Sequence, residues 1–243
     1  LPDNSEVERV VTTGNHMAYL KIAEGCDKRC SYCIIPKIRG RFRSVPMQEL
    51  LNEAKRLASE GVKELVLVAQ ETTLYGKDLT GEKQLPLLLH ELCKIEGIEW
   101  IRLLYCYPEE ITDELIKVIK TEEKVCNYID MPIQHSENRI LQRMGRRTSR
   151  EDLVAVIKKL RKEIPDITIR TTLITGFPGE SQEDHEGLMN FVEECQFDRL
   201  GVFTYSPEED TLAATFEDQI DEEVKEERRD ELMSLQQEIS YEH

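Results

Sequence analysis

Short apolar runs alternate with helix-periodic stretches from about residue 18 to about residue 205, and this alternation leaves few architectures open. Six strands are expected: Ala18 to Ile22, Glu64 to Ala69, Trp100 to Cys106, Tyr128 to Ile133, Ile167 to Ile174 and Arg199 to Tyr205. Between and after them, helices are expected at Met47 to Glu60, Leu85 to Lys94 (begun near Pro86), 111–120, 149–163 and 181–194. Runs such as Leu65-Val66-Leu67-Val68 are apolar on both faces, as buried parallel strands are, and such strands need right-handed helical crossovers. That leaves a barrel or a doubly wound sheet. Each strand ends in polar or glycine-containing residues (Glu24-Gly25, Gln70-Glu71, Gln134-His135, Thr175-Gly176, Ser206), which favours chemistry at the C-terminal rim of an α/β, six-stranded partial barrel of the TIM type.

The barrel is assigned to residues 17–220. Residues 1–16 form a polar lead-in without a secretory h-region, and residues 221–243 form a charged helix with Val224, Leu232, Leu235 and Ile239 as its packed stripe. The chain does not open on methionine, and its polar start and charged finish read as a piece cut from a longer protein. No apolar stretch approaches the roughly 20 residues of a membrane span. Forty-eight acidic against 32 basic side chains give a net charge of -16, the wrong sign for gripping phosphate backbones directly. A solvated acidic exterior explains that charge without any partner, and a basic protein partner would suit it.

Of seven cysteines, three fall in Gly25-Cys26-Asp27-Lys28-Arg29-Cys30-Ser31-Tyr32-Cys33, directly after the first strand. Without a secretory signal the expected compartment is reducing and cytoplasmic, where clustered cysteines serve metals or catalysis before disulfides. Three thiolates on one short loop suit three corners of an iron-sulfur cubane, leaving one iron open for a ligand. A zinc site in a binding module is the competing reading, but it wants a fourth ligand, and Cys93, Cys106, Cys126 and Cys195 are scattered core candidates.

A CxxxCxxC loop after the first strand, with Tyr32 just before the last cysteine, resembles the radical S-adenosylmethionine (radical SAM) superfamily. The resemblance implies a [4Fe-4S] cluster on Cys26, Cys30 and Cys33, with S-adenosylmethionine on the open iron and one-electron cleavage of that cofactor. Tyr19 to Cys26, Ile34-Ile35-Pro36 and Arg39-Gly40 are similar to the methylthiotransferase branch, which converts C-H to C-SCH3. Gln70 to Gly76, Leu103 to Pro108, Met131 to His135 and Arg170 to Glu180 resemble the members that modify an aspartate of a small-subunit ribosomal protein rather than a transfer RNA adenosine. Family members carry a second cluster on three cysteines of an N-terminal domain and end in a small β domain; neither is expected within this chain. An electron donor is implied as a further partner.

The remaining candidates come from the strand ends. The resemblance implies that Gln70, with Glu71 beside it, approaches the cofactor's amino group, against a helix cap or turn contact; Gln134 is the candidate for the ribose or methionine portion, with His135, as a lone histidine more often structural, second. Arg170 and Thr172 share one face of the fifth strand; the methionine carboxylate or a structural carboxylate would partner the arginine. Gly176, in Gly176-Phe177-Pro178-Gly179-Glu180, permits close approach to the adenosyl group or simply turns the chain. Tyr205 and Phe203 are candidates for the adenine, against an ordinary core role. Tyr32 completes the cofactor set. Lys37, Arg39 and Arg41 follow the cysteine loop and would favour electron delivery or an acidic loop of the substrate, against a plain exposed turn.

Overall fold

A computed structural model describes residues 16–242; all of the expected lead-in except His16 lies outside them. Six parallel strands form in chain order: β1 (Met17–Lys21), β4 (Glu64–Val68), β5 (Trp100–Leu103), β6 (Tyr128–Asp130), β7 (Thr168–Thr175) and β8 (Arg199–Thr204). They fall into two three-stranded sheets, β1-β4-β5 and β6-β7-β8. The Ile101–Val125 parallel bridge and the Cys106 N–H bond to the Asp130 carbonyl (2.9 Å) join them. Among the described residues β1 and β8 each have a single sheet neighbour, so the barrel stays open. A two-residue ribbon, β2 (Ala23–Glu24) antiparallel to β3 (Arg43–Ser44), was not expected; it folds the chain back onto the cysteine loop.

Helices α2 (Met47–Ser59), α4 (Leu85–Cys93), α5 (Asp113–Thr121), α7 (Arg150–Glu163), α8 (Gln182–Cys195) and α9 (Glu222–Glu242) answer to the expected ones, and α1 (Ile35–Arg39), α3 (Lys77–Thr80) and α6 (Asn138–Arg143) are short additions. Each long helix turns one stripe to the sheet: Leu50, Ala54 and Leu57 of α2 pack with Ala18, Leu20, Leu65, Leu67, Ile101 and Leu103. Full capping boxes start α7 (Ser149 with Asp152) and α8 (Ser181 with Asp184). In α9 Leu232 and Ile239 of the expected stripe are buried, but the rest of the buried stripe is polar: Lys225, Arg228 and Gln236 reach strand-end carbonyls and a carboxylate. Val224 and Leu235 lie half-buried at its edges.

The strand face turned away from the helices is polar. Across it run the Glu64–Arg102 pair (2.7 Å), Arg102 over the Tyr128 ring (4.8 Å) and the Asp130–Arg170 pair (2.6 Å). Tyr19, Trp100 and Phe203 share this face and stay 42%, 52% and 62% exposed. Two strands are shorter than expected: β5 stops at Leu103 and β6 at Asp130, each followed by a non-glycine residue with positive φ, Tyr105 (59°) and Gln134 (73°). Such backbone is uncommon and clusters where a fold holds a site in place.

Candidate functional site

The loop between β2 and α1 carries Cys26, Cys30 and Cys33, all free thiols, the first two buried. Its conformation is imposed from several sides. Gly25, at φ 81°, lies so close to the returning chain that a Cβ there would sit 2.2 Å from the Arg41 carbonyl oxygen. The Gly25 N–H donates to Gln70 Oε1 (2.8 Å), tying the end of β4 to the start of the loop, and the Cys26 N–H donates to the Gly40 carbonyl (3.2 Å). At the far end the Ser31 N–H and hydroxyl donate to the carbonyls of Met144 (2.9 Å) and Arg143 (2.8 Å), and the Ala213 N–H donates to the Ser31 carbonyl (2.8 Å). Gly145, at φ 74°, lets the end of α6 approach Arg29, whose carbonyl oxygen would be 2.7 Å from a Cβ.

A small second core seals this end of the barrel. The Phe177 ring meets Tyr32 (6.5 Å), Tyr205 (5.3 Å) and Phe216 (6.2 Å) edge-on, and Ile140, Met144 and Ala213 complete the cluster. Tyr32, Gly176 and Tyr205 are thus brought together, with Phe177 as the hub that sequence reasoning left out. The Tyr205 ring is buried in this packing, and its hydroxyl has no hydrogen-bond partner among the described residues.

Charge is arranged around Tyr107, whose hydroxyl lies 3.8 Å from Cys30 Sγ. Arg146 stacks over its ring at 4.3 Å and Lys28 at 4.9 Å. Lys28 also bonds Glu109 (3.2 Å) and Glu110 (2.6 Å), and Arg146 donates to the Pro132 carbonyl (3.0 Å). Lys28 and Tyr107 fall within the cysteine loop and the Leu103 to Pro108 stretch, but the sequence assigns no role to them or to Arg146, because their convergence depends on contacts between the cysteine loop and the segments after β5 and α6. Burial lifts the Cys26 thiol to about 11 and the Cys33 thiol above its ordinary value. Thiolates here therefore need cationic compensation, and the buried Arg146 beside Tyr107, with half-buried Lys28 paired to Glu109 and Glu110, fits an anionic thiolate-bound cluster. Among the described residues no three His, Cys, Asp or Glu side chains converge tightly enough to chelate a single ion.

Among the described residues, Glu71 Oε2 and Gln134 Oε1 are buried rim acceptors without a hydrogen-bond partner, as are Glu24 Oε1 and Glu109 Oε2. Burial pushes the Glu71 carboxyl up to about 7, although its other oxygen accepts from the Thr73 N–H (3.1 Å) and hydroxyl. The Gln134 backbone bridges β7, its N–H donating to the Thr172 carbonyl (2.9 Å) and its carbonyl accepting from the Ile174 N–H (2.8 Å), so Gln134 and Thr172 are held together. Arg170 lies lower on the inward face. Its carboxylate partner within the protein is Asp130, which also accepts from the Tyr105 N–H (3.0 Å), the structural alternative of the two weighed for it. His135 is fully buried and bonds Glu180 (3.3 Å), a structural contact rather than an exposed base. Gly176 has φ 67° and is covered by the Lys225 side chain, 2.3 Å from where a Cβ would be. Phe203 stands apart from the aromatic cluster, on the open inward face.

The family model described as the Radical SAM superfamily matches residues 20–192. The chain belongs to the radical SAM superfamily. Among curated radical SAM relatives, it is 65% identical to the ribosomal protein uS12 methylthiotransferase RimO of Lachnoclostridium phytofermentans, over 98% of this chain and 54% of that protein. It is 55% identical to the RimO of Clostridioides difficile, over 98% of this chain and 54% of the relative. The chain spans about half the length of the curated relatives it matches. Among solved structures, coproporphyrinogen III oxidase (HemN) of Escherichia coli, a radical SAM enzyme, superposes with a TM-score of 0.70 at 20% identity, over 92% of this chain and 53% of that one. The radical SAM methyltransferase TsrM of Kitasatospora setae gives 0.63 at 18% identity, over 77% of this chain and 35% of that one. At these identities the two structures speak for the barrel fold alone.

Proposed function

We propose that this chain is the radical barrel of a methylthiotransferase acting on the β-carbon of an aspartate in a small-subunit ribosomal protein. The observation that carries the reading is 65% identity, across nearly the whole chain, to a uS12 methylthiotransferase, in a chain whose three-cysteine loop is clamped at the C-terminal rim of the barrel. Cys26, Cys30 and Cys33 hold a [4Fe-4S] cluster, with S-adenosylmethionine on its open iron. When bound, these groups supply the one-electron chemistry that opens an unactivated C-H bond to sulfur.

The protein's own residues bind, orient and exclude water. Lys28 and Arg146 offset the negative charge of the thiolates, and Gln70 holds the loop's first turn on the end of β4. Gln134 Oε1 and Glu71 Oε2 are buried acceptors that make no hydrogen bond among the described residues, suited to the polar arms of the cofactor. Thr172 fixes Gln134 through its carbonyl, Gly176 lets the chain turn under Lys225, and Tyr32 and Tyr205 close the cluster side against Phe177. Arg170, held by Asp130, is read as a residue of the inward face. Residues 17–220 form the barrel, and α9 leads out of it towards a β domain. The second cluster belongs to the part of the full-length protein that the chain does not span. The setting is the cytoplasm; no described helix is long and apolar enough to cross a membrane.

Anaerobic reconstitution with iron and sulfide, followed by electron paramagnetic resonance of the reduced protein, tests this reading. A cubane signal that changes when S-adenosylmethionine is added, and disappears in Cys26→Ala, Cys30→Ala and Cys33→Ala, is the expected result. A protein that takes zinc and no iron, or a cluster indifferent to the cofactor, overturns it. The full-length enzyme offered uS12 and a transfer RNA together settles the substrate.

A further inference from the structure

The chain carries a net charge of -16, yet Lys37-Ile38-Arg39-Gly40-Arg41-Phe42-Arg43 places four cations and no anion in seven residues. This segment is the outer wall of the cysteine loop. It follows Cys33 through α1, no residue of which is buried, and returns along β3, which pairs with β2. The Gly40 carbonyl accepts from the Cys26 N–H, and Gly25 lies in contact with Arg41. A single layer of backbone therefore separates the loop that holds Cys26 from this surface.

The cations are exposed and only loosely engaged. Lys37, Arg39 and Arg41 keep 59%, 55% and 91% of their side chains in solvent; their nearest carboxylates, Asp210, Glu24 and Asp27, stand 3.8, 3.6 and 3.6 Å away, and Lys37 also donates to the Asp210 carbonyl (2.7 Å). The Arg43 guanidinium spends its bonds on the carbonyls of Arg41 and Arg39 rather than on a carboxylate. Nearby Lys21 has its ammonium pKa lowered by burial and then by Arg39 and Arg43, so their positive field reaches beyond the segment. In their midst Ile38 is 63% exposed. Exposed cations around an exposed aliphatic side chain are the composition of a steered, short-lived protein contact.

We propose that residues 37–43 dock a small acidic one-electron carrier protein of the flavin class, which delivers the electron to the group held by Cys26, Cys30 and Cys33. The step moves one electron: the carrier is oxidised by one, the cluster is reduced by one, and no bond or proton is exchanged. The inference rests on the proposed cluster reading. Charge complementarity selects the carrier, because such a partner must approach the loop closely and leave again, which electrostatic attraction across a small contact permits.

Binding of a purified acidic flavodoxin to the 243-residue chain, measured at low and high salt, tests the proposal apart from any activity. The Lys37→Glu/Arg41→Glu double variant, which changes two exposed side chains, is expected to weaken binding about tenfold at low salt. The wild-type affinity should fall as salt rises, and Lys158→Glu on α7 should change nothing. In reconstituted protein the same double variant should accept electrons from dithionite at the wild-type rate but from the reduced flavodoxin more slowly. Equal flavodoxin affinity in wild type and double variant overturns the docking surface. So does a loss confined to an RNA oligonucleotide probe, which would assign the patch to phosphate. Failure to assemble a cluster in wild type removes the cluster reading instead, and the binding measurement reports independently of it.

Discussion

At the scale of single residues, Gly25 and Glu71 carry the sharpest expectations. A Cβ at Gly25 collides with the Arg41 carbonyl and forces a β-carbon into a left-handed backbone, so Gly25→Ala should displace the loop although every cysteine is intact. Iron content after reconstitution should fall severalfold while the far-ultraviolet circular dichroism stays unchanged; full iron loading would show that the loop relaxes freely. Glu71 is an acid whose pKa rises from 4.5 to about 7 on folding, chiefly through burial. The folded state then binds more protons than the unfolded state between those values, so this group's contribution makes stability fall as pH rises through that window and stay low above it. The cost is at most roughly 3 kcal/mol. Glu71→Gln should remove that slope, gaining on wild type at pH 8 relative to pH 5 in urea unfolding of the iron-free protein. Parallel pH profiles would mean that the carboxyl finds a partner that lets it ionise.

At the scale of elements, α9 is bolted to the rim by buried charge. Arg228 bonds the Glu180 carboxylate (2.7 Å), which also accepts from the Gly176 N–H (3.0 Å) and from His135, while Lys225 donates to the Tyr205 carbonyl (3.0 Å). Burial alone would raise the Glu180 pKa, but the hydrogen bond from His135, the Gly176 N–H and the Arg228 charge together hold it below the usual carboxylate range. Stability from such a group is present above the ordinary carboxylate pKa and lost as pH falls through the folded value. Arg228→Met leaves that carboxylate short of one cation, and should cost about 3 kcal/mol at neutral pH with acid unfolding moved to higher pH. A change under about 1 kcal/mol would mean that His135 alone suffices. These contacts also mark what was legible in advance. The long periodic helices and all six parallel strands could be read from alternation, because each depends on its own residues. The ribbon β2–β3, helix α6 and the stops after Leu103 and Asp130 could not: they arise where Ser31 meets α6, and where Tyr105 and Gln134 turn over Asp130 and Thr172. For the same reason the three cysteines were evident from spacing, whereas Phe177, Tyr107 and Arg146 join them only through contacts distant in sequence, and Lys28, though within the loop, takes its place through Tyr107, Glu109 and Glu110.

At the scale of the molecule, the sheet has a dry side and a wet side. Leu67 is fully buried among the helices, and Phe203 on the opposite face is mostly exposed. Leu67→Ala should therefore cost about 2–5 kcal/mol and Phe203→Ala less than about 1, although phenylalanine is the larger side chain. Urea unfolding of the two variants decides it; similar losses would mean that the inward face is packed. The two sides are written on alternate residues of the same strands, as in Thr168, Arg170, Thr172 and Ile174 against Ile169, Thr171, Leu173 and Thr175 of β7. Mutation can therefore sample the positions that meet a bound molecule while leaving untouched those that keep the chain folded, and descendants of this sequence are free to change what they act on faster than they change shape.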